Sequence, residues 1–260
     1  MTSPYLDIES LRATLAGRRV GGDIVYFGIL SSTMDEARRL AEEGWPEGLV
    51  VVAEEQTAGR GRFDRHWISS PGDSLSFSVL LRPSSEQLPH VNMAATLAVA
   101  KAVASLTGHT SSIKWPNDVR VGGRKVAGIL IETDSGIGEL RYAVVGIGVN
   151  VNLDASEYPE IASTATSIAA ESGSHEDGTQ VLRAILEHLD DMYGDVRRGR
   201  SLTEEWSEHL DTLGRNVEVR WGHRVFGGLA REVDGRGNLL IDRPDGTTMT
   251  VVGGEVTLQE

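Results

Sequence analysis

Residues 113–131 read IKWPNDVRVGGRKVAGILI. Gly122-Gly123 sits between two apolar, β-branched runs, Val119–Val121 and Lys125–Ile131. That is the pattern of a hairpin whose tight turn needs positive φ at both central residues. Ile113–Trp115 reads as a short strand stopped by Pro116, because the residue before a proline is held extended. Asn117 and Asp118 are types that bond their own backbone in turns, so a strand followed by a turn is the simplest reading of this stretch. Lys125 interrupts an otherwise apolar strand. An unpaired buried ammonium costs several kcal/mol, so its side chain faces water, pairs with an acid or points into a site. Protection of an edge strand is the remaining role for a lysine there.

Working outward toward the N-terminus, Asn92–Leu106 is rich in Ala, Val and Leu and predicts a buried helix. Ser74–Leu81 alternates as a strand does, and Leu49–Ala53 and Asp23–Leu30 predict two more strands. Ser31, Ser32 and Thr33 supply N-cap chemistry for a helix through Met34, Ala37 and Leu40, with Trp45-Pro46 as its stop. Leu6–Leu15 has the spacing of a short amphipathic helix. Toward the C-terminus, Arg141–Val149 predicts a strand, Asn152–Ser174 is irregular, and Thr179–Met192 and Leu202–Leu210 have helical periodicity. After Gly214 the texture changes. Val217–Val219, Val225–Val233, Leu239–Ile241 and Met249–Val252 are short strands separated by Gly and Asp, which suggests a small β-barrel of SH3-like size. The expected division is an α+β domain over residues 1–213 and a β domain over residues 214–260.

The chain has 260 residues and a formal net charge of -13. So acidic a surface repels a phosphate backbone, whose binding depends on Lys and Arg, and this argues against a nucleic-acid partner. There is no cysteine, which excludes disulfides, thiolate metal sites and cysteine nucleophiles. The first residues lack the continuous apolar core of a signal peptide. No stretch approaches the ~20 apolar residues of a membrane span. A soluble, cytoplasmic protein without a membrane partner is expected.

The segment Gln56-Thr57-Ala58-Gly59-Arg60-Gly61-Arg62-Phe63-Asp64-Arg65-His66-Trp67 interleaves arginines with glycines. Glycines let a backbone approach an anion closely, the arginine fork matches phosphate or carboxylate oxygens, and Trp67 offers a flat face to an adenine. A flexible loop with solvated arginines is the alternative. Gly146-Ile147-Gly148-Val149-Asn150 resembles the start of a dinucleotide fingerprint but lacks its third glycine and its helix. These glycines are instead expected to let a ligand approach a strand closely. There is no HExxH, no GxSxG and no GxxxxGK[ST], so an ATP user here needs a different architecture.

In this order, GRGR followed by Trp67, then KWPND, KVAGIL, GIGVN and the terminal GGEVTL resemble the biotin protein ligase family, across most of residues 23–258. The resemblance implies a mixed-sheet α+β catalytic domain of the biotin/lipoate ligase type, followed by an SH3-like β-barrel. It also implies site residues. Ser32 and Thr33, with Met34, fall at the biotin head group and Gln56 beside it. Gly59, Arg60, Gly61 and Arg62 form the loop that wraps the intermediate. Lys125 lies near the reacting carboxylate, and Gly128, Gly146 and Gly148 line the pocket. Arg62, Arg65, Trp67, Asn117, Lys125 and Asn150 fall on the nucleotide side, and Asp118 is the acid of KWPND. Lys125, Arg60 and Arg62 are the expected catalytic residues. Two positions depart from the pattern: Met34 stands where the family often has Asn, and Asp64 where it often has Gly. About thirty residues precede Ser31, too few for the winged helix-turn-helix of the family's repressors, so the monofunctional type is expected.

The implied reaction joins biotin to ATP, giving biotinyl-AMP, and then transfers biotin to a lysine of a biotin carboxyl carrier protein. ATP with Mg²⁺ is the implied cosubstrate, and the sequence assigns no metal ligands. Free strand edges are compatible with a homodimer. A lipoate or octanoate ligase of the same fold, a biotin-binding module without turnover and a repressor are the alternatives.

Overall fold

The computed structural model describes residues 5–136, 139–222 and 224–259. Seven strands form the larger sheet: β1 (Ile24–Leu30), β2 (Val50–Gln56), β3 (Ser74–Leu81), β4 (Ser111–Lys114), β5 (Asp118–Val121), β6 (Arg124–Ser135) and β7 (Leu140–Asn150). Their order is β1-β2-β3-β7-β6-β5-β4. Only β1 and β2 run parallel and the other neighbours are antiparallel, so the sheet is mixed. The hairpin at Gly122-Gly123 is present, with φ 56 and 80 at the two glycines, the geometry of a tight primed turn.

Helices α3 (Leu88–Thr107) and α5 (Gly178–Arg197) cover one face, joined by α1 (Ile8–Thr14), α4 (Ile168–Ser172) and α6 (Thr203–His209). α3 is apolar on nearly every side because it lies between the sheet and α5. The opposite face is covered only in part. There α2 (Thr33–Glu42) packs Met34, Ala37, Leu40 and Ala41 on Leu49, Val51, Leu80, Tyr142 and Val144. β3 explains why one face serves two purposes. Leu75, Phe77, Val79 and Leu81 enter the main core, Leu80 supports α2, and the small Ser76 and Ser78 are buried beside them.

Two details of α2 differ from the expectation. Its end is set by Gly44 rather than by Trp45-Pro46. Gly44 has φ 89, its N–H donates to the Ala41 carbonyl at 3.2 Å, and the Trp45 N–H donates to the Leu40 carbonyl at 3.1 Å. This left-handed stop satisfies carbonyls that the last turn leaves free. At the other end Ser32 occupies the N-cap position, but its side chain makes no capping bond. A Cβ on Gly44 would meet nothing within 4 Å, so Gly44→Ala isolates the conformational cost of a positive φ. That cost is about 1–2 kcal/mol, and the melting midpoint is expected to fall by about 2–4 °C or slightly more. An unchanged midpoint in calorimetry would remove Gly44 from this role.

The second sheet is antiparallel with order β11-β10-β9-β8-β12: β8 (Asn216–Trp221), β9 (Arg224–Val233), β10 (Leu239–Asp242), β11 (Thr248–Val251) and β12 (Glu255–Leu258). The last strand, β12, goes beyond the four expected ones. It is only four residues long and gains its pairing from β8, far back in the sequence. The two sheets meet where Trp115 Nε1 donates to the Gly237 carbonyl at 2.9 Å. Among the described residues no helix is long and apolar enough to cross a membrane.

Candidate active site

Two cavities meet on the face of the larger sheet that α2 leaves open. The first, of about 500 Å³ with its open mouth included, is floored by Gly128, Ile129 and Leu130 of β6 and by Gly146, Ile147 and Gly148 of β7. Its walls come from the first turn of α2 (Ser32, Thr33, Met34), from Gln56 at the end of β2, and from Arg60, Gly61, Arg62 and Trp67 of the following loop. Glycine is needed in this floor because side chains lie directly on it. A Cβ on Gly146 would stand 2.7 Å from Met34 Sδ, and one on Gly148 would stand 2.3 Å from the Trp67 ring.

Polar groups cluster at one end of this cavity. Gln56 Oε1 accepts the Thr33 N–H at 2.8 Å and the Thr33 hydroxyl at 3.1 Å, and Thr33 Oγ1 lies 2.8 Å from Ser78 Oγ. Ser32 and Thr33 are buried. The result is an apolar slot with a small hydrogen-bonding patch, the usual composition of a specific small-molecule site.

The second cavity, about 1320 Å³ with its open mouth included, shares Gly61, Arg62, Trp67, Asn117 and Lys125 with the first. It is lined by Arg62, Arg65, Lys114, Arg120 and Lys125, against only two acids, Asp118 and Glu255. In a chain of net charge -13, that local excess of positive charge focuses attraction on an anion. Lys125 Nζ is 2.7 Å from Asp118 Oδ1 and 5.7 Å from the centroid of the Trp67 ring. Arg62 donates to Asn117 Oδ1 at 2.8 Å and to the Gly254 carbonyl at 3.1 Å. Burial pushes the Arg62 guanidinium below its ordinary range, an effect opposed by the nearby Asp118 and Glu255 carboxylates. Arg65 pairs with Glu255 of the second sheet. Arg60 makes a two-pronged contact with Asp35 at 2.7 Å for each bond, which holds the Asp35 carboxyl below its usual range.

Every residue expected near the biotin head and carboxylate lines the first cavity except Gly59. Gly59 instead shapes the loop. Its carbonyl accepts the Trp67 N–H at 3.1 Å, and a Cβ there would stand 2.8 Å from the Trp67 carbonyl oxygen. The residues expected on the nucleotide side, Arg62, Arg65, Trp67, Asn117, Lys125 and Asn150, all line the second cavity. Trp67 stands against Gly148 and lines both cavities. The backbone turns here, the Asn117 N–H donating to the Lys114 carbonyl at 3.1 Å, but the side chains of Asn117 and Asp118 do not bond the local backbone. Asn117 Nδ2 donates across to the Ile129 carbonyl at 2.7 Å, and Asp118 takes Lys125, because β5 and β6 bring these partners alongside. The Met34 departure fills the space over Gly146 with a thioether. At the second departure the preceding residue, Phe63, takes a left-handed backbone, φ 58, which costs a non-glycine residue about 1–2 kcal/mol. The Asp64 side chain lies outside the described residues.

Lys114, Arg120, Ser78 and Glu255 were not picked out as site residues from the sequence. Alternation along β3, β4 and β5 was a usable signal for the first three. Glu255 had none, since its partner Arg65 is distant in sequence.

Comparison with known proteins places the chain in a family. Residues 26–150 match the biotin/lipoate A/B protein ligase family and residues 212–258 the biotin protein ligase C-terminal domain. The chain is 33% identical to the bifunctional ligase/repressor BirA of Bacillus subtilis, over 93% of this chain and 76% of that protein. It is 32% identical to the biotin–[acetyl-CoA-carboxylase] ligase of Mycobacterium tuberculosis, over 97% and 96%. The structure resembles Aquifex aeolicus biotin protein ligase in complex with biotin and ATP, with a TM-score of 0.75, 30% identity and coverage of 91% and 98%. It also resembles the Leishmania major enzyme in complex with biotinyl-5-AMP, with a TM-score of 0.63, 25% identity and coverage of 89% and 99%. The chain belongs to the biotin protein ligase family.

Proposed function

We propose that the two adjoining cavities carry out ATP-dependent activation of biotin and its transfer to a lysine of a biotin carboxyl carrier protein. The observation that carries this reading is the junction at Lys125. There an apolar slot with a small polar patch opens into a cavity lined by cations. The slot suits a compact bicyclic urea with a short acid chain, whose ring N–H and carbonyl groups meet Thr33, Gln56 and Ser32. Its carboxylate then lies toward Lys125 and Arg62, at the mouth of the cationic cavity where a nucleotide triphosphate binds.

The two steps follow from charge. In the first, a biotin carboxylate oxygen bonds to the α-phosphorus of ATP, and the bond from that phosphorus to the bridging oxygen breaks. Two anions must approach, and Lys125, Arg60 and Arg62 lower that repulsion and stabilise the charge that builds on phosphoryl oxygens. In the second, the carrier lysine amine attacks the acyl carbon of the mixed anhydride, AMP leaves with the electron pair, and the amine loses a proton. Mg²⁺ enters as part of the substrate, on the triphosphate oxygens, as is usual for this ion. Among the described residues no group of three or more His, Asp or Glu side chains forms a metal site. Both acids of the cationic cavity, Asp118 and Glu255, are paired with cations.

The test is exchange of labelled pyrophosphate into ATP with biotin or lipoate supplied in turn. Exchange that requires biotin supports the proposal. Exchange with lipoate alone moves the protein to the lipoate branch, and tight biotin binding without exchange makes it a binding module. The polar patch has its own test. Thr33→Val removes the hydroxyl between Gln56 and Ser78 with little change of volume. Biotin affinity is expected to fall about 5–15-fold, the worth of one or two buried hydrogen bonds. Equal affinity by calorimetry would place the head group elsewhere.

A further inference from the structure

The segment from Gly59 to Trp67 doubles back on itself as a small hairpin. Arg60 pairs with His66 as an antiparallel bridge, the Gly61 N–H donates to the Arg65 carbonyl at 2.7 Å, and the exposed Phe63 stands at the tip. Its two flanks are fastened to different parts of the molecule. On the nucleotide flank Arg62 reaches Asn117 and the Gly254 carbonyl, and Arg65 reaches Glu255. On the biotin flank Arg60 gives both prongs of its fork to Asp35, in the first turn of α2. Glu132 of β6 lies 3.7 Å from the same guanidinium, and Arg38, one turn further along α2, pairs with both acids. Two acids and two arginines thus alternate in a closed ring that joins loop, helix and strand. All four side chains are partly exposed, yet a two-pronged pair inside such a network holds better than an isolated surface pair. Neither acid lines either cavity, so both act on the site only through Arg60.

We propose that Asp35, with Glu132 behind it, is a positioning residue for Arg60 that latches the biotin flank of the loop over the first cavity. The inference rests on the function proposed above and adds the residues that keep its biotin site closed. For this flank to lift, the contact between Arg60 and Asp35 must break. The strength of that contact therefore sets how fast biotin and the bound adenylate leave, as the opening of a lid does elsewhere. The nucleotide flank keeps its own fastenings at Arg62 and Arg65, so the entry of ATP is not tied to the latch.

That asymmetry sets the experiment. Wild type, Asp35→Asn, Glu132→Gln and Glu36→Gln are compared, as full chains, in the dissociation rate of biotin, the rate of loss of bound biotinyl-adenylate and the KM for ATP. Glu36→Gln is the control, because Glu36 lies in the same turn of α2 and its ion pair, with Arg39 at 2.7 Å, stays within the helix. In Asp35→Asn both rates are expected to rise about five- to tenfold, the effect of losing a two-pronged charged contact that is partly exposed. The KM for ATP should stay within about twofold of wild type. Glu132→Gln should shift the rates the same way but less, and Glu36→Gln should leave them unchanged. In an Arg60→Ala background Asp35→Asn should add nothing further, since the group it acts through is gone. Rates in Asp35→Asn within about twofold of wild type overturn the latch. So does an equal rise in Glu36→Gln or a parallel rise in the KM for ATP, either of which marks a structural role, and so does a full effect of Asp35→Asn without Arg60. If Asp35→Asn does not fold, Glu132→Gln decides, and rates equal to wild type overturn the proposal. Wild type that binds biotin but forms no adenylate defeats the functional reading instead, and biotin dissociation still judges the latch. If wild type binds no biotin, trypsin cleavage after Arg62 and Arg65 judges it: faster cleavage in Asp35→Asn supports the latch, and equal cleavage overturns it.

Discussion

Lys125→Ala is expected to lower biotin-dependent exchange of pyrophosphate into ATP by about 10²–10³-fold, as removal of one preorganised donor typically does. Lys125 lies on β6 and lines both cavities. Its backbone is pinned by the segment around Ala165, the N–H donating to the Thr164 carbonyl and the carbonyl accepting the Thr166 N–H, each at 2.8 Å. Its side chain is oriented by Asp118 at 2.7 Å. The ammonium is thus held where carboxylate and phosphate must meet, and little reorganisation is needed at the moment of reaction. The loss should fall mainly on kcat rather than on the KM for biotin, because the charge it meets develops during the step. Lys125→Arg should rescue only in part, since a fork presents its charge with a different geometry. A Lys125→Ala enzyme within about threefold of wild type would sink the assignment.

The second large effect is expected at Arg62. Arg62→Ala should reduce exchange by about 10²-fold or more and shorten the lifetime of the enzyme-bound adenylate. Arg62 ties three parts of the chain together: the glycine loop that bears it, Asn117 of the KWPND segment and the Gly254 carbonyl of the second sheet. Its loss removes a cation shared by both cavities and leaves Asn117 Oδ1 and the Gly254 oxygen without that donor. The loop should then cover the anhydride less well, and water should reach it sooner. The check is a chase of preformed biotinyl-adenylate on the enzyme, timing release and hydrolysis. An unchanged lifetime together with a normal exchange rate would show that Arg62 only braces the loop. Lys125 and Arg62 both lie near Asp118 and both line the mouth of the two cavities, so their effects should not add.

Much of this was legible along the chain, for definite reasons. The strand Ser74–Leu81 is written in local alternation, the helix at Asn92–Leu106 in its run of Ala, Val and Leu, and the Gly122-Gly123 turn in the freedom of glycine to take positive φ. The change of texture at Gly214 comes from short strands broken by Gly and Asp, and five short strands follow it. The glycine-arginine loop, the lysine in an apolar strand and the paired glycines of β7 stood out because each is a poor choice for stability alone.

Other features had no local signature. Trp45-Pro46 was the expected stop for α2, and only the hydrogen bonds to Leu40 and Ala41 showed that Gly44 ends it. The turn after β4 forms as expected, but the side chains of Asn117 and Asp118 find their partners, the Ile129 carbonyl and Lys125, only because β6 lies beside them.

By itself the sequence determined which chemical groups this protein carries: strands and helices of an α+β domain, a β-rich end, and basic residues set among glycines. Those are properties of neighbouring residues, where backbone freedom and side-chain period act over a few positions. Only the tertiary structure decided that Arg62 meets Gly254, that Arg65 meets Glu255 and that Lys114, Arg120 and Lys125 share one wall. Those contacts join segments up to 192 residues apart. Electrostatics and burial depend on distance in space, which the order of residues along the chain does not contain.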